Sequence, residues 1–516
     1  MTPLDQAFDL EKLAQDAAAT GLRMVTDRAD LVVDPALLGP LPVEWVRTNG
    51  VLPVVLQGIP VAILSTSDQI GLIDYVTLMI GQSLEPVLVP PGLLYACVEE
   101  GYAQRQESPS DLIATLRLKD QAPARRGDDL LLSSRDAPVT QLINTIMLDA
   151  LRQRASDIHF EPFSTRLRVR FRIDGVLYDQ SAPPGHLVGE LVSRLKVMAH
   201  MDISERRLPQ DGMARVRIGD REIDVRVSTV PVAEGERVVL RLLDQGDAVL
   251  SLSALGMGDD CLARLAVQLR QPNGMIVVSG PTGSGKTTTL YAALGSLDAE
   301  RRNIMTIEDP IEYQLENIGQ IQVKPKIGIS FAMGLRHILR QDPDVILVGE
   351  TRDAETAEIA VRAALTGHLV FTTLHTNDAP GALVRLADIG VAPYLLSACV
   401  RSVLAQRLVR CLCPACRVPY TVTESGVLAA RLHGQQAWHP VGCDRCKQGY
   451  YGRTGLFELL PMNDALRVAV RDPSFHLERI REEALRAGML PLEEDGLQKV
   501  LAGITTLEEV ERAAAV

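Results

Sequence analysis

Four short apolar segments recur in the second half of the chain, each followed by a loop and a helix-like stretch. They are Met275–Ser279, Asn303–Glu308, Val345–Val348 and Leu369–Leu374. None alternates cleanly between apolar and polar positions, as befits strands buried on both faces. Strand, loop and helix in repeated order predict a parallel sheet with helices on both sides. Thr287–Leu297 carries Leu290, Leu294 and Leu297 on one face and is predicted helical. An α/β domain is expected over about 246–516.

The upstream pattern differs. Leu167, Val169, Phe171 and Ile173 alternate with Arg168, Arg170 and Arg172, the signature of a half-buried strand with a basic outer face. Arg215–Ile218 and Arg221–Val227 flank Gly219-Asp220, a two-residue hairpin signal, and Arg237–Leu243 supplies a further strand. Leu187, Leu191, Leu195 and Met198 give the apolar stripe of a helix. Asp136-Ala-Pro is a helix-entry signal, so a second α+β domain is expected over about 136–245. Charged side chains on an outer sheet face ordinarily serve solvation, which is the default reading for these arginines.

Residues 1–105 predict a small α+β module: strands at Val51–Val55 and Pro60–Leu64, a helix at Ile70–Gly81, a strand at Pro86–Val89 and a helix at Leu93–Arg105. Between the first two modules, 106–135 is rich in Ser, Arg and Asp and contains QAPARRGDD, the composition of a mobile linker.

Composition narrows the classes. A length of 516 residues suits roughly three domains of ~150 residues each. Apolar content of 46% with 23% charged residues describes a folded chain. The net charge of −12 and only 4% aromatic residues weigh against a nucleic-acid binder, which needs clustered cations and stacking platforms. No apolar stretch approaches the ~18 residues that span a bilayer, and the first residues, MTPLDQAFDLEK, are acidic, unlike a signal peptide. A cytoplasmic protein with no transmembrane segment is expected, one able to dock peripherally on a membrane machine.

Candidate chemistry begins at residues 280–287, Gly-Pro-Thr-Gly-Ser-Gly-Lys-Thr, a complete G-x-x-x-x-G-K-[ST] loop between a predicted strand and a predicted helix. Glycines let backbone N–H groups converge on phosphate oxygens, and the helix N-terminus adds partial positive charge. Gly280, Pro281, Thr282, Gly283, Ser284, Gly285, Lys286, Thr287 and the adjoining Thr288 are therefore expected to cradle a nucleoside triphosphate, ATP. Lys286 would reach the β- and γ-phosphates, and Thr287 would hold Mg²⁺. Two acidic segments follow. Thr306-Ile-Glu-Asp-Pro-Ile-Glu312 leaves Glu308, Asp309 and Glu312 at the mouth of one strand. Val345–Val348 leads to Glu350, just past the edge where parallel sheets bind ligands. A third strand carries His375 to that edge, with His368 at its start.

Of the eight cysteines, Cys413-Pro-Ala-Cys416 and Cys443-Asp-Arg-Cys446 form two C-x-x-C pairs. Four thiolates in two knuckles suit a tetrahedral structural Zn²⁺. Free buried thiols are the simpler alternative. A redox pair would lack the thioredoxin-like βαβ setting. Cys411 is read as a bystander, and Cys97, Cys261 and Cys399 as ordinary buried thiols.

Taken together, TIEDPIEY, LRHILRQDPDVILVGETRDAETA and AALTGHLVFTTLHTNDA downstream of the loop resemble the secretion ATPases, specifically the GspE/PilB branch that powers type II secretion and type IV pilus assembly. Upstream, ASDIHFEP, VRFRIDGVL, PQDG, DVRVST and GERVVLRLL resemble the second domain of that family. The resemblance covers about 136–516 and implies a RecA-like P-loop ATPase domain preceded by a PAS-like α+β domain. It makes Glu312 the residue expected to orient or deprotonate water, and places Glu350 near Mg²⁺. The pattern Gly349-Glu350 departs from the commoner Asp-Glu, which leaves the division of labour between the two glutamates open. His375 would sense the γ-phosphate; Arg226 and Arg241 match arginines that reach the nucleotide, with Arg207 a weaker candidate. RLVRCLCPAC and GCDRCKQGYYGRTGLFELL resemble the family's metal-binding insertion, at about 410–452.

The resemblance further implies a homo-hexamer, and an N-terminal module that binds the cytoplasmic domain of an inner-membrane secretion or pilus platform protein. Some relatives bind a cyclic dinucleotide there through an Arg-Leu-Gly start; that start is missing from this chain, and no such ligand is expected. Against the motor stand two other classes: a nucleic-acid translocase, disfavoured by the charge, and a nucleotide-gated scaffold without turnover, disfavoured by the full set of candidate catalytic residues.

Overall fold

In a computed structural model, the structure describes residues 13, 16–38, 41, 45–46, 49–103, 138–164, 166–181, 183, 185–218, 221–244, 250–423, 426–472 and 474–514. The expected linker at 106–135 and the Gly219-Asp220 turn lie outside the described residues. The chain divides into two compact units, one of Met1–Asp149 with Ser181–Pro184, the other of Ala150–Gln180 with Gly185–Val516.

The first unit contains a five-stranded sheet of β1 (Arg23–Met24), β2 (Leu31–Val32), β3 (Val51–Leu56), β4 (Ile59–Leu64) and β5 (Glu85–Leu88), in the order β1-β5-β4-β3-β2. β3 and β4 form a hairpin around Gln57-Gly58, both at positive φ (51° and 84°), the geometry that matches the strand twist. The expected helix at 70–81 splits in two. A 3₁₀ segment, Ser67–Leu72, precedes the α-helix Ile73–Ile80, and Gly81 ends it at φ 75° by donating to the Thr77 carbonyl at 2.8 Å.

In the second unit, an antiparallel sheet runs β8-β7-β6-β11-β10-β9, built from β6 (Ala155–Phe163), β7 (Arg166–Ile173), β8 (Val176–Gln180), β9 (Gln210–Ile218), β10 (Arg221–Val232) and β11 (Gly235–Asp244). Strand β7 buries Leu167, Val169, Phe171 and Ile173, as its alternation predicts. Its arginines do more than face water. Arg168 pairs with Asp179 at 2.8 Å, and Arg170 with Glu161 at 2.6 Å. Arg172 approaches Asp157 at 3.6 Å. Cross-strand pairs of opposite charge reinforce such a sheet.

The largest sheet has seven strands in the order β14-β13-β15-β16-β12-β17-β20. β12 (Gly274–Ser279), β13 (Ile304–Glu308), β14 (Gly319–Gln322), β15 (Val345–Val348), β16 (Leu369–Leu374) and β17 (Val400–Leu412) are parallel. β20 (Tyr450–Pro461) runs antiparallel to β17. Every residue of β12, β15 and β16 is buried, which explains their unbroken apolar runs. β17 and β20 are long strands that sequence periodicity leaves unread; the polar residues Ser402, Gln406, Arg407 and Glu458 are buried among their apolar positions. A two-stranded ribbon of β18 (Val418–Thr421) and β19 (Gln436–His439) lies between the two C-x-x-C pairs in sequence.

Candidate nucleotide site and four-cysteine centre

The loop after β12 takes its shape from glycine. Gly280 has φ 149°, and a Cβ there would lie 2.4 Å from the Gln406 carbonyl and 2.6 Å from Ser284 Oγ. Gly285, at φ 87°, is the N-cap of the helix Lys286–Gly295, a left-handed position that a side chain would strain. The helix is then held from β17: Thr289 Oγ1 donates to Gln406 Oε1 at 2.7 Å. Ser284 Oγ is buried against Gly280 with no hydrogen-bond partner. Lys286 Nζ donates to the Gly280 and Pro281 carbonyls at 2.7 and 2.9 Å. Burial holds its ammonium down to about 8, against an upward pull from Glu350 and with a further push from Arg407.

Beside this loop, at the carboxyl edge of the sheet, stand Glu350 and His375. His375 Nε2 lies 3.6 Å from Glu350 Oε2, and Arg352 pairs with the other carboxylate oxygen. Burial and then the Lys286 charge lower the His375 pKa, leaving the ring readily neutral near pH 7. Gly349, just ahead of Glu350, is sterically confined. A Cβ there would meet the Ile307 carbonyl at 3.2 Å and Glu308 Cα at 3.3 Å, so β13 leaves little room for a side chain ahead of Glu350.

The first acidic segment separates into two roles. Glu308 is buried and fully engaged: Tyr291 Oη donates to it at 2.5 Å, Thr306 Oγ1 at 2.6 Å and Gln320 Nε2 at 3.1 Å. It acts as an internal brace. Glu312 instead meets the antiparallel sheet, where Arg226 Nη1 lies 3.7 Å from Glu312 Oε2 and Arg226 Nη2 donates to the Ile311 carbonyl at 3.2 Å. Arg226 and Arg241 are direct cross-strand partners on one sheet face. Their side chains part, however, because Arg241 Nε donates to Asp157 Oδ1 at 3.0 Å. Arg207 is 88% exposed and pairs with its neighbour Glu205, away from these contacts.

Sequence reasoning overlooked Gln406 and Arg407. Arg407 begins the RLVRCLCPAC string read above only as the flank of the cysteine pair. A polar pair inside an apolar strand was the available signal. Tyr291 and Gln320, which complete the Glu308 network, carry no comparable mark in sequence.

The four thiols of Cys413, Cys416, Cys443 and Cys446 come together, with every pair of sulfurs within 4.8 Å. Cys413–Cys443 is 3.9 Å, while Cys416–Cys446 and Cys443–Cys446 are both 3.7 Å. Four sulfurs at about 2.3 Å around one tetrahedral Zn²⁺ would be about 3.8 Å apart. The cluster is thus of a size that can hold the ion. Cys411 does not join it.

Residues 133–512 match the family described as Type II/IV secretion system protein. The type II secretion system protein E of Dickeya dadantii is 55% identical over 387 residues, covering 75% of this chain and 77% of the relative. That of Aeromonas hydrophila is 46% identical, covering 93% of this chain and 97% of its own. The type IV pilus assembly ATPase PilB of Myxococcus xanthus is 42% identical over 93% of this chain and 87% of its own. Among solved structures, the Legionella pneumophila ATPase DotB superposes with a TM-score of 0.56 at 21% identity, covering 76% of this chain and 98% of that one, a likeness of fold.

Proposed function

The chain belongs to the Type II/IV secretion system protein family, and we propose that it is an ATPase whose turnover powers type II protein secretion. The observation that carries this reading is the phosphate loop of Gly280–Thr287, with Lys286, Glu350 and His375 gathered at one sheet edge. Relatives named type II secretion system protein E at 46–55% identity support secretion as the work performed. The Myxococcus relative keeps type IV pilus assembly as the second reading.

In hydrolysis, the oxygen of a water molecule forms a bond to the γ-phosphorus while the bond to the β–γ bridging oxygen breaks, releasing ADP and phosphate. The loop amides and Lys286 hold the phosphates and neutralise charge as it moves to the leaving oxygen. We assign Glu312 to orienting the water and accepting its proton, and His375 to contacting the γ-phosphate. Thr287 and Glu350 would hold Mg²⁺, which when bound neutralises phosphate charge. Arg226 and Arg241 supply cations from the antiparallel sheet, which we read as a PAS-like domain over about 136–245, ahead of a RecA-like domain over 246–516.

The four-cysteine cluster is assigned a structural Zn²⁺ within an insertion at about 410–452. Family likeness supports a ring of six copies, and the module at 1–105 is assigned to docking on the cytoplasmic part of a membrane-anchored partner. Among the described residues no helix is long and apolar enough to cross a membrane, so attachment would go through that partner. The deciding experiment measures Mg²⁺-dependent ATP turnover against protein concentration together with mass in solution. Turnover that rises as rings form is expected; no turnover at any concentration would remove the motor reading.

A further inference from the structure

Arg407 is a buried cation with an unfinished set of partners. Only 5% of its surface is exposed. Nη2 donates to Asn377 Oδ1 at 3.0 Å, while Nη1 is buried without any hydrogen-bond partner. A guanidinium removed from water needs an anion beside it. The two carboxylates that bear on it are engaged elsewhere. Asp378 accepts from the Gly381 amide at 2.8 Å with one oxygen and pairs with Arg481 through the other. Glu458 accepts from the Ala379 and Leu492 amides at 2.7 and 3.3 Å, and burial pushes its pKa up to about 7. Among the described residues no carboxylate lies within ion-pair distance of Arg407.

Its place in the fold indicates where the missing anion belongs. β17 pairs with β12 up to Ala405 opposite Ser279, so Gln406 and Arg407 run on past the end of β12 beside the phosphate loop. The Gln406 carbonyl backs Gly280, and its side chain holds Thr289. Arg407 reaches Asn377, two residues beyond His375, and its charge is felt at Lys286. Arg407 thus leaves β17 beside the phosphate loop, and its guanidinium is held at the loop that follows His375.

We propose that Arg407 is a nucleotide-binding residue whose Nη1 donates to the terminal phosphate of the bound triphosphate while Nη2 keeps the His375 loop in place. This rests on the ATPase reading above and adds a cation from within the large sheet itself, distinct from Arg226 and Arg241.

The test uses the full chain and compares wild type, Arg407→Gln and Arg407→Lys. Two affinities are measured by calorimetry, for Mg²⁺ with a non-hydrolysable imido analogue of ATP and for Mg²⁺ with ADP. Arg407→Gln is expected to weaken the triphosphate at least about tenfold and the diphosphate less than about threefold, with Arg407→Lys in between. Its melting temperature without nucleotide should not fall, because a buried, incompletely paired charge has been removed. Equal losses for both nucleotides, no loss, or a lowered melting temperature with unchanged affinities would overturn the proposal and reduce Arg407 to a brace for Asn377. Wild-type protein that binds neither nucleotide would overturn the ATPase reading along with it.

Discussion

Arg226 and Glu312 meet across two different sheets: the guanidinium, from β10, next to the edge of the antiparallel sheet, lies 3.7 Å from the carboxylate that follows β13. The contact is 24% and 35% exposed on its two sides, so as a solvated ion pair it contributes little to stability, about 1 kcal/mol or less. Its interest is functional. It ties the arginine-bearing sheet to the acidic segment assigned to water activation, so that any movement between the sheets changes what surrounds that carboxylate.

Arg226→Ala is therefore expected to depress ATP turnover strongly, by on the order of 10³-fold, while the melting temperature changes by only a few degrees. Steady-state turnover and thermal unfolding on the same preparation check both halves. Near-wild-type turnover would remove Arg226 from the catalytic set.

Lys286→Met should abolish turnover without destabilising the nucleotide-free protein. The folded pKa of about 8 lies below the ordinary lysine value of 10.5, so a protonated Lys286 costs stability at every pH below about 8. That cost fades as pH rises from about 8 to 10.5, and methionine never carries it. The loss of two hydrogen bonds to loop carbonyls offsets part of the gain. Urea unfolding at pH 7 measures the balance; a variant several kcal/mol less stable would contradict it.

Glu458 predicts a pH dependence of the opposite kind. Its carboxyl is raised from 4.5 to about 7 by burial, so the folded state holds a proton that the unfolded state has released. The resulting stability is full below about pH 4.5 and is lost as pH rises through 7. Relative to wild type, Glu458→Gln should gain stability between pH 5 and pH 8, by about 1–3 kcal/mol. Unfolding curves of both proteins at the two pH values test this, and a difference independent of pH would refute it.

Gly349→Asp, which places a second carboxylate directly ahead of Glu350, should harm the protein. The new Cβ would press on the Ile307 carbonyl and Glu308 Cα at 3.2–3.3 Å, and backbone cannot swing aside as a side chain can. A loss of about 1–3 kcal/mol and reduced turnover are expected, with Gly349→Ala showing the steric part alone.

The four-cysteine cluster should carry one zinc per chain, measured by elemental analysis. Cys443→Ser, or a strong chelator, should release it and open the segment between the two knuckles to limited proteolysis, leaving the phosphate loop able to bind nucleotide. Protein free of zinc, with four titratable thiols, would return the cluster to four free thiols, of which only Cys413 is buried.

Local chemistry made much of this legible in advance. β15 and β16 are recovered residue for residue, because a strand buried on both faces reads as an uninterrupted apolar run with sharp ends. The helix after the phosphate loop begins one residue earlier than expected, at Lys286, since Gly285 caps it in the left-handed region. The long strands β17 and β20 escaped for the converse reason. Their polar residues face buried partners, among them Gln406 with Thr289 and Glu458 with Ala379, and no periodicity reports a partner more than 70 residues away.

The amino-acid string alone determined the phosphate loop, the two cysteine knuckles and the strands that end in Glu350 and His375, because each depends on residue types at short fixed spacings. Folding decided what those groups face. Only the strand register and the packing of one sheet on another set Arg226 against Glu312, turned Arg241 toward Asp157, consumed Glu308 in an internal network and left one nitrogen of Arg407 bare. Such contacts join positions tens to hundreds of residues apart, and geometry of that reach exists only once the sheets have formed.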